Sequence, residues 1–87
     1  PRTGNFQLSV NNDKVQDNDK VIISKDDDEL LFKIDPKESA EVLSMHYAVE
    51  DQIFKSGKKI RLKPQNVTIK IKLCDKELRS YNLNLHY

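Results

Sequence analysis

Residues 35–55 read DPKESAEVLSMHYAVEDQIFK, and the fold turns on whether they are helix or strand. As a helix, Asp35 is an N-cap, Pro36 takes the first helical position, and Glu38 falls three residues after Asp35. Val42, His46, Val49 and Ile53 then form one stripe, with Gly57 beyond it as a stop. As a strand, Leu43, Met45, Tyr47 and Val49 alternate with Ser44, His46, Ala48 and Glu50. Glu50-Asp51-Gln52 is then a turn, and Ile53-Phe54 leads on to Ser56-Gly57. Both periods fit. So does a mixed form, with one helical turn over 36–40 and a strand after it.

The flanking sequence favours the strand. Residues 59–63 (KIRLK), 67–74 (VTIKIKLC) and 81–87 (YNLNLHY) each alternate with period two. Ile60, Leu62, Val67, Ile69, Ile71, Leu73, Tyr81, Leu83, Leu85 and Tyr87 share one face. Lys59, Arg61, Lys63, Lys70, Lys72, Asn82, Asn84 and His86 share the other. That is the signature of antiparallel sheet with one side on a core and one in water. Upstream, residues 6–10 place Phe6, Leu8 and Val10 inward. The polar stretch 11–20 is a loop from which Val15 tucks back onto the core. Residues 21–24 are β-branched and read as a strand, 25–28 as an Asp turn, and 29–34 as the returning partner of a hairpin. Leu30, Phe32 and Ile34 fall on one side of that partner.

The stretch 45–87 resembles the second half of bacterial immunoglobulin-like and cadherin-like β-sandwich modules. Tyr47, the run Phe54-Lys55-Ser56-Gly57, Ile60-Arg61-Leu62, Pro64, Val67-Thr68-Ile69-Lys70-Ile71 and Tyr81-Asn82-Leu83-Asn84-Leu85 carry the resemblance. The charged turn Asp75-Lys76-Glu77 lacks the glycine common in those families. The resemblance implies a mainly β, Ig-like antiparallel β-sandwich of about six to seven strands, to which the mixed reading of 35–55 adds one short helical turn near 36–40. It also implies a non-catalytic module of a surface or secreted protein, extracellular in location, that contacts a protein partner or its neighbouring domains. The alternative is an intracellular, cytoplasmic α+β interaction domain whose helix over 36–55 packs on an antiparallel sheet.

Eighty-seven residues suffice for one domain with a thin core. Residues 1–4 read as a tail or linker, and 5–87 as a single β-sandwich domain excised from a larger protein, since the first residue is Pro1. No apolar run approaches the roughly 20 residues of a membrane span, and no signal peptide is present, so membrane insertion is not expected. One cysteine, Cys74, excludes an internal disulfide, and it sits at a strand end as a semi-exposed thiol. With His46 and His86 as the only histidines, a structural zinc site would need distant carboxylates, and neither metal nor cofactor is expected.

Charge is divided along the chain. Residues 1–54 hold 6 basic and 12 acidic side chains, and residues 55–87 hold 9 and 2. If strand 59–63 paired with 67–72, Lys59, Arg61, Lys63, Lys70 and Lys72 would share one outer face, a polyanion-binding surface by charge. Tyr81 and Tyr87 alternate onto the core side, so no aromatic interleaves with the lysines to stack bases, and nucleic acid is not the expected partner. Exposed lysines also guard sheets against edge aggregation. The acidic loops (Asp13, Asp17 and Asp19; Asp26, Asp27, Asp28 and Glu29) offer the hard oxygens calcium takes, but lack EF-hand spacing, and turn chemistry explains them. Asn66-Val67-Thr68 fits the N-glycosylation pattern in a predicted turn. No nucleophile–base spacing stands out. The two glycines, Gly4 and Gly57, make no phosphate loop, so no catalysis is expected.

Overall fold

The alternating runs do become strands, but they are dealt between two sheets. The computed structural model describes residues 6–26, 29–47 and 52–87. In chain order these form β1 (Gln7–Val10), β2 (Asp13–Lys14), β3 (Lys20–Ile22), β4 (Glu29–Asp35), α1 (Lys37–Val42), β5 (Leu43–Tyr47), β6 (Gln52–Phe54), β7 (Lys59–Arg61), β8 (Gln65–Leu73) and β9 (Lys76–His86). One sheet has the order β2-β1-β4-β7 and the other β3-β9-β8-β5-β6. Strands hold 62% of the described residues and helix 8%, so the molecule is a β-sandwich and the α+β alternative falls.

The segment 35–47 takes the mixed form. Ser39 and Ala40 both donate backbone bonds to the Pro36 carbonyl, at 3.0 and 3.2 Å, opening a helix of only six residues. Asp35 belongs to β4, and the cap position falls to Pro36, which has no side chain to offer. A helix this short is unstable alone; the fully buried Ser39 and the core contact of Ala40 hold it. At Leu43 the backbone turns extended, and Leu43, Met45 and Tyr47 then enter the core on alternate positions. A continued helix would have buried His46 and Ile53; instead Ile53 is 67% exposed. The expected turn at Glu50-Asp51 and the tail at 1–4 lie outside the described residues.

Three pairings differ from the sequence expectation. Strand 21–24 does not form a hairpin with 29–34: β3 runs parallel to β9, with Val21 opposite Leu85, while β4 pairs with β1 and β7 in the other sheet. The reason lies upstream of β3. Asn18 N bonds Asn82 O at 2.7 Å, the Asp19 carbonyl accepts from Asn84 N at 3.0 Å, and Ile23 N bonds His86 O at 2.7 Å, so residues 17–23 lie along β9. Strand 59–61 pairs with β4, not with β8. The charged turn shrinks to Cys74-Asp75, because Lys76 already pairs with Leu73. Among the described residues nine strands stand where six to seven were expected, the additions being the short β2 and β6.

The inward faces meet in one core. Leu8, Leu30, Phe32, Met45, Ile69 and Ile71 are completely buried, and Val15 folds back onto the cluster as its isolated position suggested. Tyr81 is buried, but Tyr87 is half exposed and does not belong to the core as expected. Gly57, read as a helix stop, instead shapes the turn before β7 with φ +88° and donates to the Phe32 carbonyl at 2.8 Å. Ser56 Oγ accepts from Ile34 N at 2.8 Å, so the same turn satisfies β4 where β7 no longer reaches it. A bulge in β9 sends Leu78 inward and leaves Arg79 across from Ile71. Arg79 lies 4.3 Å over the Phe6 ring and bonds the Phe6 carbonyl at 2.9 Å, joining the two sheets at one end.

The β1–β2 turn supports a prediction. Asn11 and Asn12 have φ of 53° and 71° between the paired residues Val10 and Asp13, a type I′ hairpin that asparagine and glycine fit. Asn12→Val should lower stability by about 1–2 kcal/mol, the left-handed penalty of a side chain with a Cβ branch. Asn12→Gly should hold stability or raise it. Urea melts of the two variants check this, and equal midpoints would contradict the turn.

Candidate functional site

The five cations do not form one patch. Ile60 is turned to the core, so Lys59 and Arg61 stand on the outer side of the four-stranded sheet. Val67, Ile69 and Ile71 are buried, so Lys70 and Lys72 stand on the outer side of the five-stranded sheet. Stacked sheets lie about 10 Å apart with their outer sides facing away from each other. Lys63 sits on the crossing between them, after the buried Leu62. The shared face required β7 to pair with β8, and β7 pairs with β4 instead. Two of the charges are also partly answered: Arg61 Nη2 lies 3.3 Å from Glu29 Oε1, and Lys70 Nζ lies 3.9 Å from Glu77 Oε1. Both pairs are partly exposed to solvent and add little to stability.

A split of this kind has a measurable result. Five phosphate or sulfate contacts on one face would give a log–log salt slope of about −4.5, whereas two or three per face give about −2 to −3. Heparin or duplex DNA should therefore bind weakly, with a slope no steeper than about −3. A slope of about −4.5 would restore a single basic face.

The outer side of the five-stranded sheet is polar along β8 and β9. Thr68 Oγ1 donates to Asn82 Oδ1 at 2.7 Å, and Asn84 Nδ2 donates to Asn66 Oδ1 at 2.6 Å, each pair directly opposed across β8 and β9. Asn66, the glycosylation candidate, is exposed but lies within β8, not in a turn. Ser44 Oγ and His46 Nε2 are 3.0 Å apart, and Ser44 Oγ also reaches the Lys72 carbonyl at 3.4 Å. That pair stands on an open sheet side between β6 and β8, not in a cleft.

The acidic loop is used by the backbone. Asp17 Oδ1 accepts from Asn82 N and Asp19 Oδ2 from Gln16 N, both at 2.8 Å. Among the described residues no three His, Cys, Asp or Glu side chains gather as metal ligands; Asp27 and Asp28 lie outside them. Cys74 is exposed in its turn, with φ of 55°. Among the described residues no helix is long and apolar enough to cross a membrane.

Two further depressions flank β6. One depression of about 450 Å³ is lined by Tyr47, Ile53, Phe54, Ile60 and Leu62, with Arg61 and Lys63 among its polar neighbours. A second, of about 790 Å³, runs past Val42, Leu43, Ile53 and Phe54 to the 55–57 turn. The sequence held one signal for this. Gln52-Ile53-Phe54 is an uncharged run in a chain one-third charged, but three residues are too few to show a period.

The chain matches no protein-family model, no curated protein and no solved structure.

Proposed function

We propose that the chain is a non-catalytic, Ig-like module of a larger surface or secreted protein, and that it works by contact with a protein partner or its neighbouring domains. The observation that carries this reading is the strand order. Ig domains set strands A, B and E in one sheet and C, F and G in the other. Here β1, β4 and β7 stand in the places of A, B and E, and β5, β8 and β9 in those of C, F and G. β6 lies beside the C position and β3 beside G. The step from fold to role is one of analogy. The polar outer side of the five-stranded sheet and the depressions at β6 add to it, since they suit contact surfaces better than a reaction chamber.

The test is retention of a partner. The immobilised chain should hold protein from the surface and secreted fractions of its source cells, and the purified pair should reproduce a 1:1 complex by calorimetry. Retention of nucleic acid or sulfated polysaccharide alone would overturn the reading, as would turnover of a hydrolase substrate panel.

A further inference from the structure

Sheet edges offer unpaired backbone to other chains, and proteins guard them with charge, proline or very short strands. Of the four edge strands among the described residues, three carry charge. β2 is Asp13-Lys14, β3 opens with Lys20, and β7 sets Lys59 and Arg61 on either side of Ile60. β6 is Gln52-Ile53-Phe54, without charge. Among the described residues it pairs on one side only, with β5. Its Ile53 is 67% exposed, and Val42 beside it is 43% exposed. Both depressions described above open on this strand and share Ile53 and Phe54 as lining.

We propose that the β6 edge receives an extended peptide segment of a protein partner, in which apolar residues alternate with Asp or Glu. This rests on the reading of the chain as a protein-binding module. An added strand places alternate side chains on opposite sides of the sheet. One set packs on Ile53, which stands opposite His46 on the outer side of the sheet, and backbone bonds to β6 supply register. The other set faces the depressions between the two sheets, and charge selects it. Lys33, Lys37 and Lys55 line the larger depression and Lys63 the smaller, against only Asp35 and Glu41 among the described residues. None of these four lysines is in an ion pair among the described residues. The same charges argue against a second copy as occupant. A twofold β6–β6 pairing sets one cationic rim against another, within a Debye length of about 8 Å.

The probe is a fluorescein-labelled octapeptide of alternating Val/Ile and Glu, compared by anisotropy with its Lys counterpart. The Glu peptide should bind, and the Lys peptide should bind at least about tenfold more weakly. Ile53→Asp should weaken the Glu peptide by at least about tenfold, and Lys55→Glu with Lys63→Glu by several fold. Ile22→Asp, on the opposite edge, should change nothing. Should Ile53→Asp fail to fold, amide exchange on the unmodified chain serves instead, with peptide-dependent protection at 52–54 and none at 20–22. Absence of binding, equal binding of the Lys peptide, or protection at 20–22 would overturn the proposal. So would dimerisation that Ile53→Asp abolishes, since the edge would then belong to a second copy. If the cellular partner is retained equally by Ile53→Asp, this site is wrong and the module reading stands. If no protein is retained by any variant, the module reading itself fails.

Discussion

Lysine at position 45 should leave the chain unfolded in buffer, while lysine at position 46 should leave it folded. Met45 is completely buried opposite Ile71 and Phe54, and His46 is half buried on the outer side of the same strand. A domain of this length is stable by roughly 4–13 kcal/mol. An unpaired ammonium in the core costs several kcal/mol, and the lost methionine packing adds about 2–5. The sum is comparable to the whole. For His46→Lys the losses include a part-buried hydrogen bond to Ser44 and a new like charge opposite Lys70, together about 1–1.5 kcal/mol. Circular dichroism and urea melts decide it. A cooperative transition in Met45→Lys together with unfolding of His46→Lys would return the segment to the helical register, in which position 46 is the buried one.

Phe32→Ala should cost about 3–5 kcal/mol and lower the melting temperature by roughly 15–30 °C. Phe32 is fully buried at the middle of β4. Its ring meets that of Phe54, on β6 of the other sheet, at 5.4 Å and 60°. The side chain therefore fills the space between the sheets and also seats the edge strand. Leucine keeps most of the volume and should cost about 1–1.5 kcal/mol. A loss below about 1.5 kcal/mol for alanine would mean that the core collapses around the cavity, against the close packing of both sheets at this point.

The faces of the strands were legible in the sequence, and their partners were not. Alternation told which side of residues 43–47, 67–73 and 81–86 is wet, because a period of two is a property of the strand alone. It carries no information on which sheet a strand joins. Residues 59–61 and 67–73 alternate alike and lie close in sequence, yet Leu62 turns the chain across the core between them. The hairpin expected at 25–28 failed for a related reason: local turn chemistry was sound, but bonds from residues 18–23 to β9 outweighed it. The basic face followed the wrong pairing, and so dissolved with it. The β6 edge was hidden because an edge strand is defined by what does not lie beside it.

The parallel run of β3 along β9 has a mechanical consequence. Tension on the chain draws β3 towards its N-terminal end and β9 towards its C-terminal end, in opposite senses along one axis. The bonds from Asn18 to Asn82, Asn84 to Asp19 and Ile23 to His86, with the side-chain bond of Asp17 to Asn82, then bear load in shear and must yield together. The antiparallel β5–β6 hairpin, pulled from its open end, parts one bond at a time. A module strung between neighbours would thus resist stretching along its length while its β6 edge stays easy to peel, so the same sheet is a stiff link at one margin and a compliant one at the other.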